Sequence, residues 1–505
     1  MDVTDVIWVG IDLGTQSARA VAVGATGTVL SAAARPLTSR RDGNRHEQDP
    51  HEWWANVADA LAEMVRGLPD GAAASIAGVA VDGTSGTVLL TDPDGTPRTP
   101  GLMYDDSRAG ALAAEAQEAG DALWNRLRYR IQPMWALPKL LWWRDEGMLR
   151  AGARLAHQPD VITANLVGRP VATDTSHALK TGYDLIGLRW PTEVLEKLHV
   201  DPDVLPPVQR AGSVLGHVGA DAARRTGLPE GVRVIAGMTD SCAAQLAAGA
   251  LSAGEWNSVL GTTLALKGVT DTLLHDPTGA VYSHRAPHGD LWLPGGASGS
   301  GAGVITTLFR GQDLDALTER ARRVHHVPLC YPLAERGERF PFVEPDARGF
   351  LGDDPLPTGP DQVREIGDPA RVFAAVCTGV AHVERLCFDL LDVAGADVSG
   401  PVSFTGGGSR NRWWNQLRCD LLGAQVRIPV SSEPSVGMAV LAAGAVEGDV
   451  PAAAARMVAT RELLQPDTDR HAELAAGYAD FVTALTDRGW LDTPTAVRAR
   501  KRAAA

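Results

Sequence analysis

Lysine is scarce in this chain: its 505 residues contain five, Lys139, Lys180, Lys197, Lys267 and Lys501, and none follows a glycine. A Walker A loop needs Gly-Lys-Ser/Thr so that the lysine reaches the β- and γ-phosphates, and that nucleotide cradle is therefore excluded. GxGxxG is absent, which removes the dinucleotide fingerprint of a Rossmann dehydrogenase. The HRD and DFG motifs of protein kinases are absent too. Cysteine is sparse and odd in number, five residues with no CxxC pair, so neither a disulfide framework nor a zinc cluster is expected. Reduced thiols suit a cytoplasmic protein. No apolar run reaches the length of a membrane span, and the acidic first five residues lack the basic region of a secretory signal. Positive charge is in deficit, 47 basic against 61 acidic residues for a net −14, which argues against nucleic acid or an anionic membrane as partner.

What the chain does contain is ordinary globular material, 45% hydrophobic and 21% charged, in a length beyond what one core supports. Two α/β domains are expected, residues 1–250 and 251–494. A basic, Ala-rich tail at 495–505 is expected to be disordered or a surface helix. Residues 6–11 read as a strand, Asp12-Leu13-Gly14-Thr15-Gln16-Ser17 as a turn, and residues 19–23 as the return strand. Near residue 254 the pattern recurs, with Asn257-Ser258-Val259-Leu260, the turn Gly261-Thr262-Thr263 and a return strand over 264–269. Either hairpin alone is what glycine and threonine commonly build. Two of them, one domain length apart, point to an internal duplication. Between and beyond them lie a helical pattern over 53–65, a strand at 76–81 entering Asp82-Gly83-Thr84-Ser85-Gly86, and a Gly-rich turn at 295–301. A long helix is expected over 371–391, then a strand–turn–helix from Val402 through Asn411, then a last helix over 435–444.

The first turn has the parts of a phosphate cradle. Its backbone N–H groups and hydroxyls can receive phosphate oxygens, and Arg19 can supply a cation. Asp12 would repel a phosphate directly, so its natural partner there is Mg²⁺ or a metal-bound water. Read locally, Asp12 is equally a turn aspartate satisfying its own backbone.

Five segments in order then resemble the FGGY family of carbohydrate kinases, which share the actin-like ATPase (ribonuclease H-like) fold. Gly10-Ile11-Asp12-Leu13-Gly14-Thr15-Gln16-Ser17-Ala18-Arg19 resembles the family's first phosphate motif. Ile235-Ala236-Gly237-Met238-Thr239-Asp240-Ser241 resembles the segment carrying its catalytic aspartate. Leu260-Gly261-Thr262-Thr263 resembles the second phosphate hairpin, Gly337-Glu338-Arg339-Phe340-Pro341 a further family segment, and Phe404-Thr405-Gly406-Gly407-Gly408-Ser409-Arg410-Asn411 the adenosine-binding turn. Within the family, residues 80–90, Val281-Tyr282-Ser283-His284 and Trp292-Leu293-Pro294-Gly295-Gly296 are similar to D-ribulose kinases. Xylulose kinases carry Gln-Met-His-Gly where this chain has Gly83-Thr84-Ser85-Gly86, and glycerol kinases carry Arg-Glu-Thr. Tyr104-Asp105-Asp106-Ser107-Arg108 resembles the family's Trp-Asn-Asp-Gly-Arg substrate segment, with tyrosine for tryptophan.

The resemblance implies two actin-like α/β domains with an interdomain cleft, ATP and Mg²⁺ as cofactors, and phosphoryl transfer to a sugar. D-ribulose is favoured, with xylulose, ribitol or a ketohexose as alternatives. Asp240 is implied as the base, with Asp12 and Asp240 at the metal. Asp12, Gly14, Thr15, Gln16, Ser17 and Arg19 would hold phosphates, joined by Gly261 and Thr262, while Gly407, Gly408 and Asn411 would line the adenosine site. Ser85, Asp106, Asp240 and Ser241 would hold sugar hydroxyls. By position alone Asp240, between an apolar strand at 232–236 and an Ala-rich helix, is also an N-cap candidate. A helix N-terminus favours an ionised carboxylate, so the two roles are compatible. Trp53 and Trp54 are expected in the core, and His46 and His51 in structural roles. A homodimer is left open, and an actin-like regulatory ATPase is the rival reading of a different class.

Overall fold

The computed structural model describes residues 6–503. The chain forms two compact units, one of Met1–Leu251, His284–Leu293 and Ser431–Ala459, the other of Ser252–Ser283, Pro294–Val430 and Thr460–Ala505. These are not the contiguous halves the sequence suggests, because residues 431–459 return to the first unit. Their helix, Pro434–Glu447, is buried along nearly its whole length. Small residues let it close on its neighbours: a Cβ added to Gly437 would lie 2.0 Å from the Ala243 carbonyl oxygen, and one on Gly10 would lie 1.7 Å from that of Ser435. Backbone therefore packs on backbone, and the helix belongs to the unit that contains both contacts.

The first unit is built on a six-stranded sheet in the order Val214–His217, Arg233–Ile235, Ile76–Gly83, Ile7–Leu13, Ser17–Gly24, Val29–Pro36. The last three form an antiparallel meander. Ile76–Gly83 is parallel to Ile7–Leu13, reached by a crossover through the helix Pro50–Arg66. That helix opens with Asp49 as N-cap, accepting from the His51 N–H at 2.9 Å, and Pro50 at its first position. It buries Trp53, Val57, Leu61 and Met64 against the sheet, a stripe at helical spacing. The central strands are apolar on both faces, as strands covered by helices on each side must be.

The second unit repeats this scheme. From the hairpin Trp256–Leu260 and Leu264–Gly268, antiparallel, the sheet continues through Val402–Thr405 and Val426–Pro429, both parallel, to Thr460–Leu464, antiparallel. Pairing directions match the first unit strand for strand, which bears out the duplication. Both edges depart: at one, the edge strand precedes its inner neighbour along the chain in the first unit and follows it in the second, and at the other the second sheet has a seventh strand, Tyr282–Arg285, beyond Trp292–Ala297.

Three helices lie beyond the last one expected, Val450–Met457, Thr468–Asp487 and Thr493–Ala503. The last of them is the helical alternative expected for the tail, not the disordered one. Ala496 and Ala499, three apart on one face, are buried, and the buried Arg385 donates to the Arg502 carbonyl at 2.6 Å. Arg498 pairs with Asp392 and Arg502 with the buried Asp389, both on the helix Pro369–Val393, while Arg500 and Lys501 are exposed, so part of the basic composition docks the helix.

Candidate active site

In the first unit three carboxylates converge. Asp12, near the end of Ile7–Leu13, is the register partner of Asp82 on the parallel strand Ile76–Gly83 and of Arg19 on the antiparallel one. Gly83, one residue on, bridges in parallel fashion to Thr239, which caps the helix Asp240–Ala247. Asp240 is thus the first helical residue, not the cap, and its Oδ1 accepts from the Ser241 N–H at 2.6 Å. Burial above all raises the Asp12 carboxyl, with the Asp82 carboxyl opposing, Asp240 adding like charge and Arg19 pulling the other way. Burial, then the charges of Asp12 and Asp240, push Asp82 well above the ordinary carboxylate range. No donor group other than the neighbouring Asp12 carboxyl faces either Asp82 oxygen among the described residues, although both are buried.

A buried, orphaned carboxylate beside two others is chemistry that suits a divalent cation. Among the described residues no three such groups converge closely enough to ligate an ion directly. What the set would suit is a hydrated Mg²⁺, which keeps several waters and takes one or two carboxylates plus phosphate oxygens. Asp82 went unrecognised in the sequence as a site residue. Its signal was present: two apolar strands each end in aspartate followed shortly by glycine, Asp12-Leu13-Gly14 and Asp82-Gly83.

The turn between Ile7–Leu13 and Ser17–Gly24 is closed by the Gly14 N–H donating to the Ser17 carbonyl at 3.1 Å. Its far side is fixed by Gln48, which donates to the Thr15 carbonyl at 2.7 Å. Gln16 is exposed, and Gly14, Thr15 and Ser17 are half-buried. Arg19 is paired with Glu433, so it would have to exchange that partner to serve a phosphate.

The turn from Gly83 to Thr87 ends the central strand and carries Ser85, whose hydroxyl is buried and has no partner among the described residues. Asp106 is different, and corrects the expectation that its carboxylate is open to a sugar. It is fully buried; one oxygen accepts from the His46 N–H at 2.7 Å and both accept from Arg108, at 2.7 to 3.2 Å. Arg108 also pairs with Glu47 at 2.6 Å. Asp106 therefore shapes the loop from within. Ser241 is exposed beside Asp240. His46 is structural as expected, wedged between Asp105 at 2.5 Å and Ser39 at 2.9 Å.

In the second unit the hairpin turn Gly261-Thr262-Thr263 is closed by the Gly261 N–H on the Thr263 carbonyl at 3.0 Å. The Gly-rich segment at 299–303 packs on it: Ala302 donates to the Gly261 carbonyl at 2.9 Å and Gly303 to that of Thr262 at 3.0 Å. A Cβ on Gly301 would lie 2.5 Å from the Thr262 carbonyl oxygen, so glycine is required for that approach. The strand Val402–Thr405 leads into Gly406, at φ +80, and the short 3₁₀ turn Gly407–Arg410. Asn411 caps the helix Arg412–Leu422 by accepting from the Trp414 N–H at 3.1 Å, and its amide donates to Thr318 at 2.9 Å. Gly407, Gly408 and Asn411 line one wall of a cavity of about 300 Å³, faced by Ile305, Phe373 and Trp414. That is the lower end of the usual size for a small-molecule site. A larger hollow of about 490 Å³, lined by Arg40, Glu47, Asp49, His51 and Arg98 among others, contains none of the expected site residues.

Beneath these two turns is a buried ion pair. Arg418 and Glu384 are bidentate at 2.7 Å, both fully buried, and Arg418 also donates to Ser258 at 2.9 Å. The guanidinium lies 3.6 Å over the Phe404 ring. Ser258 and Phe404 are register partners on the strands that feed the two turns, so the pair locks their roots together.

Known proteins match most of the chain. Residues 7–247 match the N-terminal domain of the FGGY family of carbohydrate kinases, and residues 257–446 match its C-terminal domain. A xylulose kinase of Streptomyces rubiginosus is 30% identical over 496 residues, 95% of this chain and 97% of that protein. One of Streptomyces coelicolor is 31% identical over 460 residues, 89% of this chain and 90% of that protein. The crystal structure of xylulose kinase from Rhodospirillum rubrum superposes with a TM-score of 0.83 at 25% identity, covering 95% of this chain and 98% of that one.

Proposed function

Because the chain belongs to the FGGY family of carbohydrate kinases, and so is an ATP-dependent sugar kinase, we propose that its acceptor is a ketopentose, D-ribulose first, phosphorylated on the terminal hydroxyl. The observation that carries this reading is the meeting of two elements at the Gly83–Thr239 bridge: a turn with an unsatisfied buried hydroxyl, Ser85, and a helix opening on Asp240.

A sugar hydroxyl is a poor nucleophile at neutral pH, so the reaction needs positioning, charge neutralisation and a base. Asp240 accepts the hydroxyl proton as the oxygen attacks the γ-phosphorus; the bond from that phosphorus to the bridging oxygen of ATP breaks, and ADP leaves. General-base help of this kind is worth about 10²- to 10⁴-fold in rate. Bound Mg²⁺, when present with ATP, neutralises the charge of the transferring group. Asp12, with Asp82 beside it, would hold that ion through water. Gly14, Thr15, Ser17, Gly261 and Thr262 would present backbone and hydroxyl donors to phosphate oxygens, and Gly407 and Gly408 would let the nucleoside lie against backbone. Ser85 and Ser241 would hold sugar hydroxyls.

D-ribulose is preferred over D-xylulose on the turn sequence Gly83-Thr84-Ser85-Gly86, which lacks the methionine and histidine that xylulose kinases carry there. The names of the relatives favour D-xylulose as the second reading. A coupled ADP-release screen over D-ribulose, D-xylulose, ribitol, glycerol and ketohexoses separates them: the highest kcat/KM is expected with D-ribulose. A clear preference for D-xylulose replaces the first reading by the second, and no sugar-dependent ADP release at all refutes both.

A further inference from the structure

The turn that carries Ser85 is held by its carbonyls to an unusual degree. The Gly83 carbonyl lies 3.3 Å from His177 Nε2, that of Ser85 accepts from Lys180 Nζ at 3.1 Å, and that of Gly86 accepts from Lys139 Nζ at 2.9 Å. The Thr84 carbonyl is taken by the Thr87 N–H, closing the turn. Three basic side chains thus engage three carbonyls within four residues. The chain has five lysines among 47 basic residues, and two of the five are spent on this turn.

His177 and Lys180 come from one short segment, the helix Thr175–Ala178 and the following turn Leu179–Thr181, capped by Asp174. Asp174 also pairs with His177 Nδ1 at 2.6 Å, which fixes the ring with Nε2 toward Gly83. The same segment reaches the other half of the site through Ser176. Its hydroxyl accepts from the Thr239 N–H at 3.1 Å and lies 3.0 Å from the Thr239 hydroxyl, at the cap of the Asp240 helix. It also lies 3.2 Å from His284. Lys139 adds a third tie: besides Gly86 it donates to the Met103 carbonyl at 2.6 Å, at the root of the Tyr104–Arg108 loop.

We infer that residues 174–180 are a brace that sets the spacing between the sugar-recognising turn and Asp240, with His177 and Lys180 as positioning residues for Ser85. The inference rests on the proposed reading of Ser85 as a sugar contact. None of these side chains needs to touch the sugar. They hold backbone carbonyls of the turn, not its hydroxyl, and hydrogen bonds from charged donors are the strong kind. Loosening the turn would let Ser85 move relative to the base, and misplacement by about 1 Å is costly even far from the chemistry.

Lys180 is the residue to test, because both it and Ser85, whose carbonyl it holds, are half-buried rather than enclosed. Steady-state kinetics of the full-length enzyme, with the sugar the wild type phosphorylates, should show Lys180→Met raising the sugar KM by about tenfold to a hundredfold. The KM for ATP and the melting temperature should stay at wild-type values. Lys180→Arg, which keeps a charged donor within reach of the Ser85 carbonyl, should restore most of the loss; a merely structural role predicts no such split and no such rescue. Ser85→Ala is run beside them. A raised sugar KM in Ser85→Ala with a wild-type KM in Lys180→Met overturns the brace and leaves the sugar contact standing. A wild-type KM in Ser85→Ala overturns the sugar contact and the inference built on it. Equal loss of sugar and ATP parameters in Lys180→Met, unrescued by arginine, overturns the brace as well.

Discussion

His382 offers a quantitative test of how the second unit is built. It lies on the long helix Pro369–Val393, which also supplies Phe373 to the cavity beside Gly407 and Glu384 to the ion pair beneath the turns at Gly261 and Gly407. The imidazole is buried between Tyr478 and Phe481, with ring centroids 5.8 and 5.0 Å away, and neither nitrogen has a partner among the described residues. Burial, reinforced by the charge of Arg385, lowers its pKa from 6.5 to about 3. Above pH 6.5 the ring is neutral folded and unfolded, and it makes no pH-dependent contribution. Below pH 6.5 the unfolded chain takes up a proton that the folded one refuses, so acid favours unfolding. The slope is about 1.4 kcal/mol per pH unit, which amounts to about 2 kcal/mol lost between pH 6.5 and pH 5 from this group alone. His382→Leu removes the group at similar volume and also removes two unsatisfied polar atoms. Urea unfolding at pH 7 and pH 5, followed by hydrogen exchange in residues 369–393, should show the variant at least as stable as wild type at pH 7. At pH 5 its advantage should grow by about 2 kcal/mol. Parallel losses in both proteins on acidification would refute the buried neutral imidazole.

Arg418→Met should cost about 3 to 5 kcal/mol, because it strands Glu384 in a dry interior; Arg418→Met with Glu384→Leu should recover most of that loss, read by thermal melting and by ATP binding in calorimetry. Gly10→Val places side-chain atoms where the Ser435 carbonyl lies, so the helix Pro434–Glu447 must lift. A loss of about 3 kcal/mol or more is expected, seen as a lower melting temperature or insoluble expression. Wild-type stability in Gly10→Val would contradict the close packing of that helix.

Much of this was legible in the sequence because it depends on local chemistry. The two hairpins announce themselves through apolar runs broken by Gly-Thr turns, and Asp12 and Asp240 stand at strand and helix ends where only local pattern is needed. What was not legible depends on partners far apart in the chain. Asp106 looked available until Arg108 and the His46 N–H were seen to fill its lone pairs. Arg19 looked free until Glu433 was seen beside it. Asp82 reads as a turn residue, and only the parallel register brings it to Asp12. Lys139, His177 and Lys180 occupy no motif at all; their meaning lies in the carbonyls they reach, up to 95 positions away. The return of residues 431–459 to the first unit was hidden for a similar reason, since an apolar helix does not say which sheet it will cover.

The central claim is that Asp240 removes the proton from a ketopentose hydroxyl. Its most direct test is single-turnover formation of phosphorylated D-ribulose or D-xylulose by Asp240→Asn, with ATP affinity measured separately. The account predicts a fall in turnover of about 10²- to 10⁴-fold with ATP binding retained. Turnover near the wild-type rate would contradict it.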